Sequence, residues 1–167
     1  MSCVAVRVTD KEIQFAADSI VTMGWTKVNT PNTQPKLTEV NGMIIGGCGS
    51  FSETGLLFQF AETHKPDDNS LRAMRQFFME FGEWKQKYGE KFLCDNEYII
   101  GYMGKCYSYV GTCLEEIKDY RAIGAGMDYA LSALYLGKNA KDAVRVSCAL
   151  SCYVAEPIVE YKMRKSV

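Results

Sequence analysis

Two segments, Ala16-Ala17-Asp18-Ser19 and Lys36-Leu37-Thr38-Glu39-Val40-Asn41-Gly42-Met43-Ile44-Ile45-Gly46-Gly47-Cys48-Gly49, carry the clearest strand and turn signals of the chain. Asn41-Gly42 between two apolar runs is the strongest short signal for a β-hairpin, because both residues tolerate the positive φ of the tight turn. It predicts strands at Lys36 to Val40 and Met43 to Gly47. Ahead of it, Val4 to Val8 and Ile13 to Ala17 flank the polar turn Thr9-Asp10-Lys11-Glu12 and read as a first hairpin. Residues Trp25 to Pro35, rich in Thr, Asn and Pro, read as a loop. Asp18 therefore ends the second strand, Lys36 opens the third, and a glycine run closes the fourth.

C-terminal to Gly49 the pattern changes to helical spacing. Ser50 with Glu53 three positions on predicts a capping box for a helix carrying Leu56, Leu57, Phe60 and Ala61. Pro66-Asp67-Asp68-Asn69 interrupts it. Ser70 to about Tyr88 then reads as a second helix, with Leu71, Met74, Phe77, Phe78 and Phe81 at helical spacing. Strands resume at Glu97 to Met103 and Lys105 to Val110, with a tight turn at Gly104. Arg121-Ala122-Ile123 leads into Gly124-Ala125-Gly126 and a helix from Met127 to about Leu136. Asn139 caps a further helix with Ala143, Val144, Ser147 and Leu150 on one face and Asp142 in its first turn. A last strand begins near Pro157. Runs of strands alternating with pairs of helices imply an α+β layered fold rather than a βαβ type. With no repeat, linker or low-complexity segment, residues 1–167 read as a single domain long enough to bury a sizeable core.

Composition narrows the function classes. The chain is 47% hydrophobic and 23% charged with a formal net charge of -1, which gives no electrostatic reason to expect nucleic acid or an anionic membrane as partner. No apolar run approaches the roughly 18 residues that span a bilayer, and the start lacks a signal peptide's apolar core. The expectation is a soluble cytoplasmic protein. Seven cysteines form no C-x-x-C pair, and the single histidine, His64, lies in a polar stretch and reads as a solvent-facing side chain. A zinc site is therefore not expected, and most of the cysteines read as small buried apolar residues. Gly124-Ala125-Gly126 lacks both G-x-G-x-x-G and a P-loop lysine and reads as a strand-to-helix turn, not a phosphate cradle. The aromatic richness between Phe77 and Tyr109 reads as core or subunit interface.

Taken in order, these segments resemble the proteasome β-subunit superfamily, and bacterial HslV-type peptidases most closely. Val4-Ala5-Val6-Arg7 looks like that family's first strand, and Ala16-Ala17-Asp18-Ser19 like its segment before the lysine. Ala122-Ile123-Gly124-Ala125-Gly126-Met127-Asp128-Tyr129-Ala130 looks like its helix entry, and Ala149 to Ala155 like its cation-binding loop. The resemblance implies a four-layer αββα sandwich of the N-terminal-nucleophile (Ntn) hydrolase type. It also implies a serine- or threonine-type endopeptidase in which the first residue's hydroxyl attacks a peptide carbonyl and its free α-amine handles the proton. That amine suits the task because its ordinary pKa is about 7.7–8.0. On this resemblance the nucleophile is Ser2 after removal of Met1. Lys36 favours the deprotonated forms of hydroxyl and amine, Asp18 holds the lysine, and the Gly47 N–H serves the oxyanion. Extended backbone at Ile20 to Thr22 and Gly47 to Gly49 would pair with a substrate strand. No cofactor is required, although a monovalent or divalent cation is implied at the backbone carbonyls of Ala149, Cys152 and Ala155. The implied partners are copies of the same chain in a ring, stacked or single, an ATPase unfoldase or a larger assembly, and a polypeptide substrate.

The sequence also departs from that pattern. Counting back from Asp18 favours Ser2 as nucleophile. Matching Val4-Ala5-Val6 to the family's strand instead puts Met1 in the nucleophile's place, with Val4, Val6 and Val8 inward and Arg7 outward. Ala125 stands where the family carries a serine, and Cys152 and Ala155 stand where many β-subunits carry a supporting Asp and Ser. Cys3 is a further candidate thiol nucleophile, but only after loss of the two residues before it, with a buried strand cysteine as its plainer reading. Two functions stay open at this point: an active peptidase, and a catalytically inactive subunit with a structural or assembly role in a larger particle. A small-amide hydrolase is a weaker third.

Overall fold

The computed structural model describes residues 1–23, 26–28 and 35–165. In chain order the first half comprises β1 (Val4–Val8), β2 (Glu12–Asp18), β3 (Val21–Met23), β4 (Thr26–Val28), β5 (Leu37–Val40), β6 (Met43–Cys48), α1 (Phe51–Thr63) and α2 (Leu71–Lys85). The second half comprises β7 (Cys94–Tyr102), β8 (Lys105–Gly111), β9 (Cys113–Glu116), β10 (Tyr120–Ile123), α3 (Met127–Tyr135), α4 (Ala140–Leu150) and β11 (Ile158–Arg164). One antiparallel sheet has the order β10-β1-β2-β11 and the other β5-β6-β7-β8-β9, while β3 and β4 form a separate hairpin. The expected loop at Trp25 to Pro35 contains β4; its residues 25 and 29–34 lie outside the described residues.

Strand alternation builds the layers. In β1, Val4 and Val6 face the second sheet and join Ile13, Phe15, Leu37, Ile44 and Ile99 in the inter-sheet core. Cys3 and Ala5 point the other way, into a cluster made largely of small residues: Ala16, Ala122, Ala130, Ala133, Ala140 and Ala143. Such small side chains let α3 and α4 lie close on the first sheet. Arg7, on that same face, donates to the carbonyls of Leu134 and Lys138 at 2.7 and 3.0 Å. On the opposite side the second sheet meets α1 and α2 through a bulky aromatic cluster with Phe60, Phe77, Phe78, Phe81, Tyr98 and Tyr107. Phe78 stacks on Tyr109 with centroids 3.7 Å apart. Each fully buried side chain of this kind contributes about 1.5–3 kcal/mol of transfer free energy. The result is a helix–sheet–sheet–helix sandwich, the αββα architecture expected.

The turns follow their chemistry. Asn41 and Gly42 take φ of 50° and 77°, and β5 pairs with β6 from Val40↔Met43 to Leu37↔Gly46. Ser70 accepts from the Ala73 N–H at 3.1 Å to cap α2, and Asn139 accepts from the Asp142 N–H at 2.8 Å to cap α4. The expected capping box at Ser50 does not form. Ser50 is the N-cap residue of α1 but makes no side-chain cap bond, and Glu53 is buried and turned inward instead. His64 is also not a free solvent-facing side chain: its ring stacks on Phe60 at 4.1 Å. β9 and β10, at the outer edges of the two sheets, are not foreseen by the sequence pattern, in which Arg121-Ala122-Ile123 reads only as leading into the glycine turn.

Candidate active site

The end of β2, the start of β5 and the end of β6 converge on the first three residues. Asp18 and Cys3 are locked across β1 and β2: the Asp18 N–H donates to the Cys3 carbonyl at 3.2 Å, and the Cys3 N–H donates to Asp18 Oδ1 at 2.8 Å. Asp18 Oδ2 accepts from Lys36 Nζ at 2.8 Å, with side-chain exposures of 0% for Asp18 and 4% for Lys36. The Ile20 N–H reaches the same oxygen at 3.4 Å. Burial pushes the Asp18 carboxyl above its ordinary value, while the Lys36 charge and the hydrogen bonds from Lys36, Cys3 and Ile20 pull against it. A buried ion pair of this quality is costly to break from one side, because the remaining charge has no solvent to turn to.

Lys36 Nζ also donates to the Met1 carbonyl at 3.0 Å. The peptide bond between Met1 and Ser2 therefore sits on the Asp18–Lys36 pair. Ser2 is nearly buried, at 6% exposure. Its carbonyl accepts from the Gly126 N–H at 3.1 Å, and its side chain lies beside the Cys48 thiol. Gly124, at φ +90°, closes the floor: a Cβ there would stand 2.4 Å from the Ser2 carbonyl oxygen. An open cleft of about 380 Å³ runs past Met1, Ser2, Gly49, Glu97, Gly124 and Ala125.

The structure thus brings Ser2, Asp18 and Lys36 together and corrects two expectations. The Gly47 N–H does not point into an oxyanion site; it donates to the Lys36 carbonyl at 2.9 Å, because the β5–β6 ladder extends one residue past Leu37. The glycine that lines both the open cleft and the small cavity behind Met1 with an N–H that meets no acceptor among the described residues is Gly49. Its φ of +134° belongs to a conformation that favours glycine. The glycine run carried this signal, since Gly49 is its last member before the helix. Cys3 is also excluded as a thiol nucleophile in this fold. It is fully buried, its Sγ donates to Ser147 Oγ at 3.4 Å, and burial pushes its thiol up to about 12. Burial raises Cys48 likewise to about 12.

Ala125 lines the cleft and brings no hydroxyl to it. In the loop expected to hold a cation, Ala149 lies in the last turn of α4, and the Ala155 carbonyl accepts the Ser19 N–H at 3.4 Å. One of the three expected carbonyl donors is therefore engaged by the segment that follows Asp18. No group of three or more His, Cys, Asp or Glu side chains suited to a metal occurs among the described residues. Among them there is also no helix long and apolar enough to cross a membrane.

Solved structures with this architecture are proteasome-type subunits of the Ntn-hydrolase class, and the chain carries their fold. BPH of Thiobacillus denitrificans, solved in complex with epoxomicin, superposes with a TM-score of 0.88 at 18% identity over 99% of this chain and 100% of its own. Eukaryotic HslV from Trypanosoma brucei matches with a TM-score of 0.70 at 16% identity, covering 97% of this chain and 99% of its own. Anbu, an ancestral β-subunit from Yersinia bercovieri, matches with a TM-score of 0.67 at 15% identity, covering 98% and 81%. No protein-family model matches the sequence, and a search of curated proteins finds no match.

Proposed function

We propose that this chain is a proteasome-like subunit that hydrolyses peptide bonds with Ser2 as nucleophile once Met1 has been removed. The observation that carries the reading is the seat of the Met1–Ser2 peptide on the buried Asp18–Lys36 pair. The Met1 carbonyl oxygen is 3.0 Å from Lys36 Nζ. Within one amide, oxygen and nitrogen are about 2.2 Å apart. Release of Met1 would therefore leave the Ser2 α-amine within about 5 Å of Lys36 Nζ. The ammonium charge there favours the free-base amine and the ionised hydroxyl, so the amine could take the hydroxyl proton while the oxygen attacks a carbonyl. Gly49 replaces Gly47 as the oxyanion donor in this scheme. While Met1 is present, the Ser2 nitrogen is tied up in a peptide bond and the site is blocked.

The substrate would be an extended polypeptide laid along the cleft by Ser2, and the working form a homo-oligomeric ring. An ATPase that feeds the ring, and a cation bound by the carbonyls of Ala149, Cys152 and Ala155, belong to the same proposal. A cation there would require Ala155 to share its carbonyl with the Ser19 N–H.

A second reading, a non-catalytic assembly subunit, is favoured by one specific feature. Val4 and Val6 face inward and Arg7 outward, the register in which Met1 rather than Ser2 stands in the nucleophile's place. The test is the intact mass of untagged protein after exposure to an epoxyketone. Loss of methionine with a single adduct on Ser2, absent in Lys36→Ala, supports the peptidase. Retained methionine without an adduct supports the assembly subunit.

A further inference from the structure

The turn that presents Gly49 is held from the far side by a buried polar relay with no part in the scheme so far. Asn96 is 2% exposed, and its amide grips Ser50 twice. Oδ1 accepts the Ser50 N–H at 2.6 Å, and Nδ2 donates to the Ser50 carbonyl at 2.8 Å. Nδ2 also donates to Thr54 Oγ1 at 2.9 Å. The contact extends to Gly49 itself, where a Cβ would fall 2.0 Å from Asn96 Oδ1. Asn96 thus supplies to the start of α1 the acceptor that the unformed capping box leaves missing.

Asn96 is in turn fixed by Glu53. Its backbone N–H donates to Glu53 Oε1 at 3.2 Å, beside the Tyr98 hydroxyl at 2.9 Å. The other oxygen, Oε2, accepts Lys85 Nζ at 2.9 Å and the Asp95 N–H at 3.1 Å. Lys85 has 0% side-chain exposure and spends a further hydrogen bond on the Leu93 carbonyl at 3.0 Å. Four donors on one carboxylate pin the irregular start of β7, where the register shifts between Cys94 and Glu97. A network satisfied to this degree is rigid, and each member restrains the next.

We infer that Asn96, held by Glu53 and Lys85, is a positioning residue that fixes the Gly49–Ser50 turn against Ser2 and so aims the Gly49 N–H at the reacting carbonyl. The inference rests on the peptidase reading for its chemistry, while the clamp itself is a property of the fold. Asn96 touches neither substrate nor nucleophile and acts only through the turn.

Two readouts on protein beginning at Ser2 test it. In Asn96→Ala, amide hydrogen exchange at Ser50 should rise at least about tenfold, with exchange in β6 unchanged, because Ser50 loses its acceptor. Peptide hydrolysis by the same variant should lose about 10²-fold in kcat with KM within about threefold, the signature of a misplaced oxyanion donor. Asn96→Asp, which keeps an acceptor for the Ser50 N–H, should recover part of both. Unchanged Ser50 exchange, or raised exchange with kcat unaffected, overturns the inference. If the parent protein hydrolyses nothing, the peptidase reading fails by itself, and Ser50 exchange alone decides whether Asn96 clamps the turn.

Discussion

Replacing Asp18 by Asn keeps the shape of the side chain and removes its charge. Asn can still accept the Cys3 N–H through Oδ1, a contact of 2.8 Å in the native protein. Its new NH₂ group, however, faces two donors, Lys36 Nζ and the Ile20 N–H, which sit at 2.8 and 3.4 Å from Oδ2. Breaking one side of a buried pair costs about 3–5 kcal/mol. Urea unfolding of Asp18→Asn against the parent should therefore show a loss of about 3–5 kcal/mol at pH 7, because Lys36 keeps its place in the fold without a counter-charge. Lys36→Met in the same background should restore most of the stability. A loss below about 1 kcal/mol would mean that the pair is solvated and contributes no more than a surface ion pair.

Three further outcomes follow from named contacts. Burial pushes the Glu53 carboxyl up, but the hydrogen bonds from Lys85, Asp95, Tyr98 and Asn96 outweigh it and hold its pKa below the ordinary value. Its stabilisation is therefore fully present above the ordinary glutamate value of about 4.3 and drains as the pH falls through the lower folded value; acid titration of stability should be flatter in Glu53→Gln, and an unaltered curve would refute this. Brief treatment of the native protein with iodoacetamide, read by peptide mass mapping, should modify Cys113 and Cys152, the two exposed cysteines, and spare Cys3, Cys48, Cys94 and Cys106, which are buried. Gly101→Ala should cost about 1–3 kcal/mol by overpacking, since the new Cβ would stand 2.4 Å from Phe15 Cζ between the sheets; a thermal melt within one degree of the parent would show that the ring gives way freely.

The parts of the molecule governed by short-range rules were legible in the sequence. Asn41-Gly42 fixes the register of its hairpin, Ser70 and Asn139 mark helix starts, and the phenylalanines of α2 declare their buried face by spacing alone. β9 was not legible, because Cys113-Leu114-Glu115-Glu116 is an edge strand with one inward residue, Leu114, and a charged outer face. Buried charge misled most. Glu53 sits three positions after Ser50 as a capping box requires, yet its acceptors are satisfied by groups 32 to 45 residues away. Lys85 lies in the last turn of α2 and is fully buried, with nothing in the local sequence to mark it. Asn96, which clamps the Gly49–Ser50 turn, carried no local signal, because its partners come together only when β7 lies beside the start of α1. Asp18 and Lys36 are candidates through a resemblance rather than through spacing, and the contacts that bring them to the first residues exist only once β1 pairs with β2.

The most direct test compares two forms of the chain that differ by one residue: protein released from a cleavable fusion so that it begins at Ser2, and protein that retains Met1. Hydrolysis of a fluorogenic peptide by each, with Lys36→Ala as control, is the measurement. Turnover is expected from the form beginning at Ser2, with none while Met1 is in place and none in the control. Equal activity in both parent forms, or none in either, would contradict a Ser2 nucleophile seated on the Asp18–Lys36 pair.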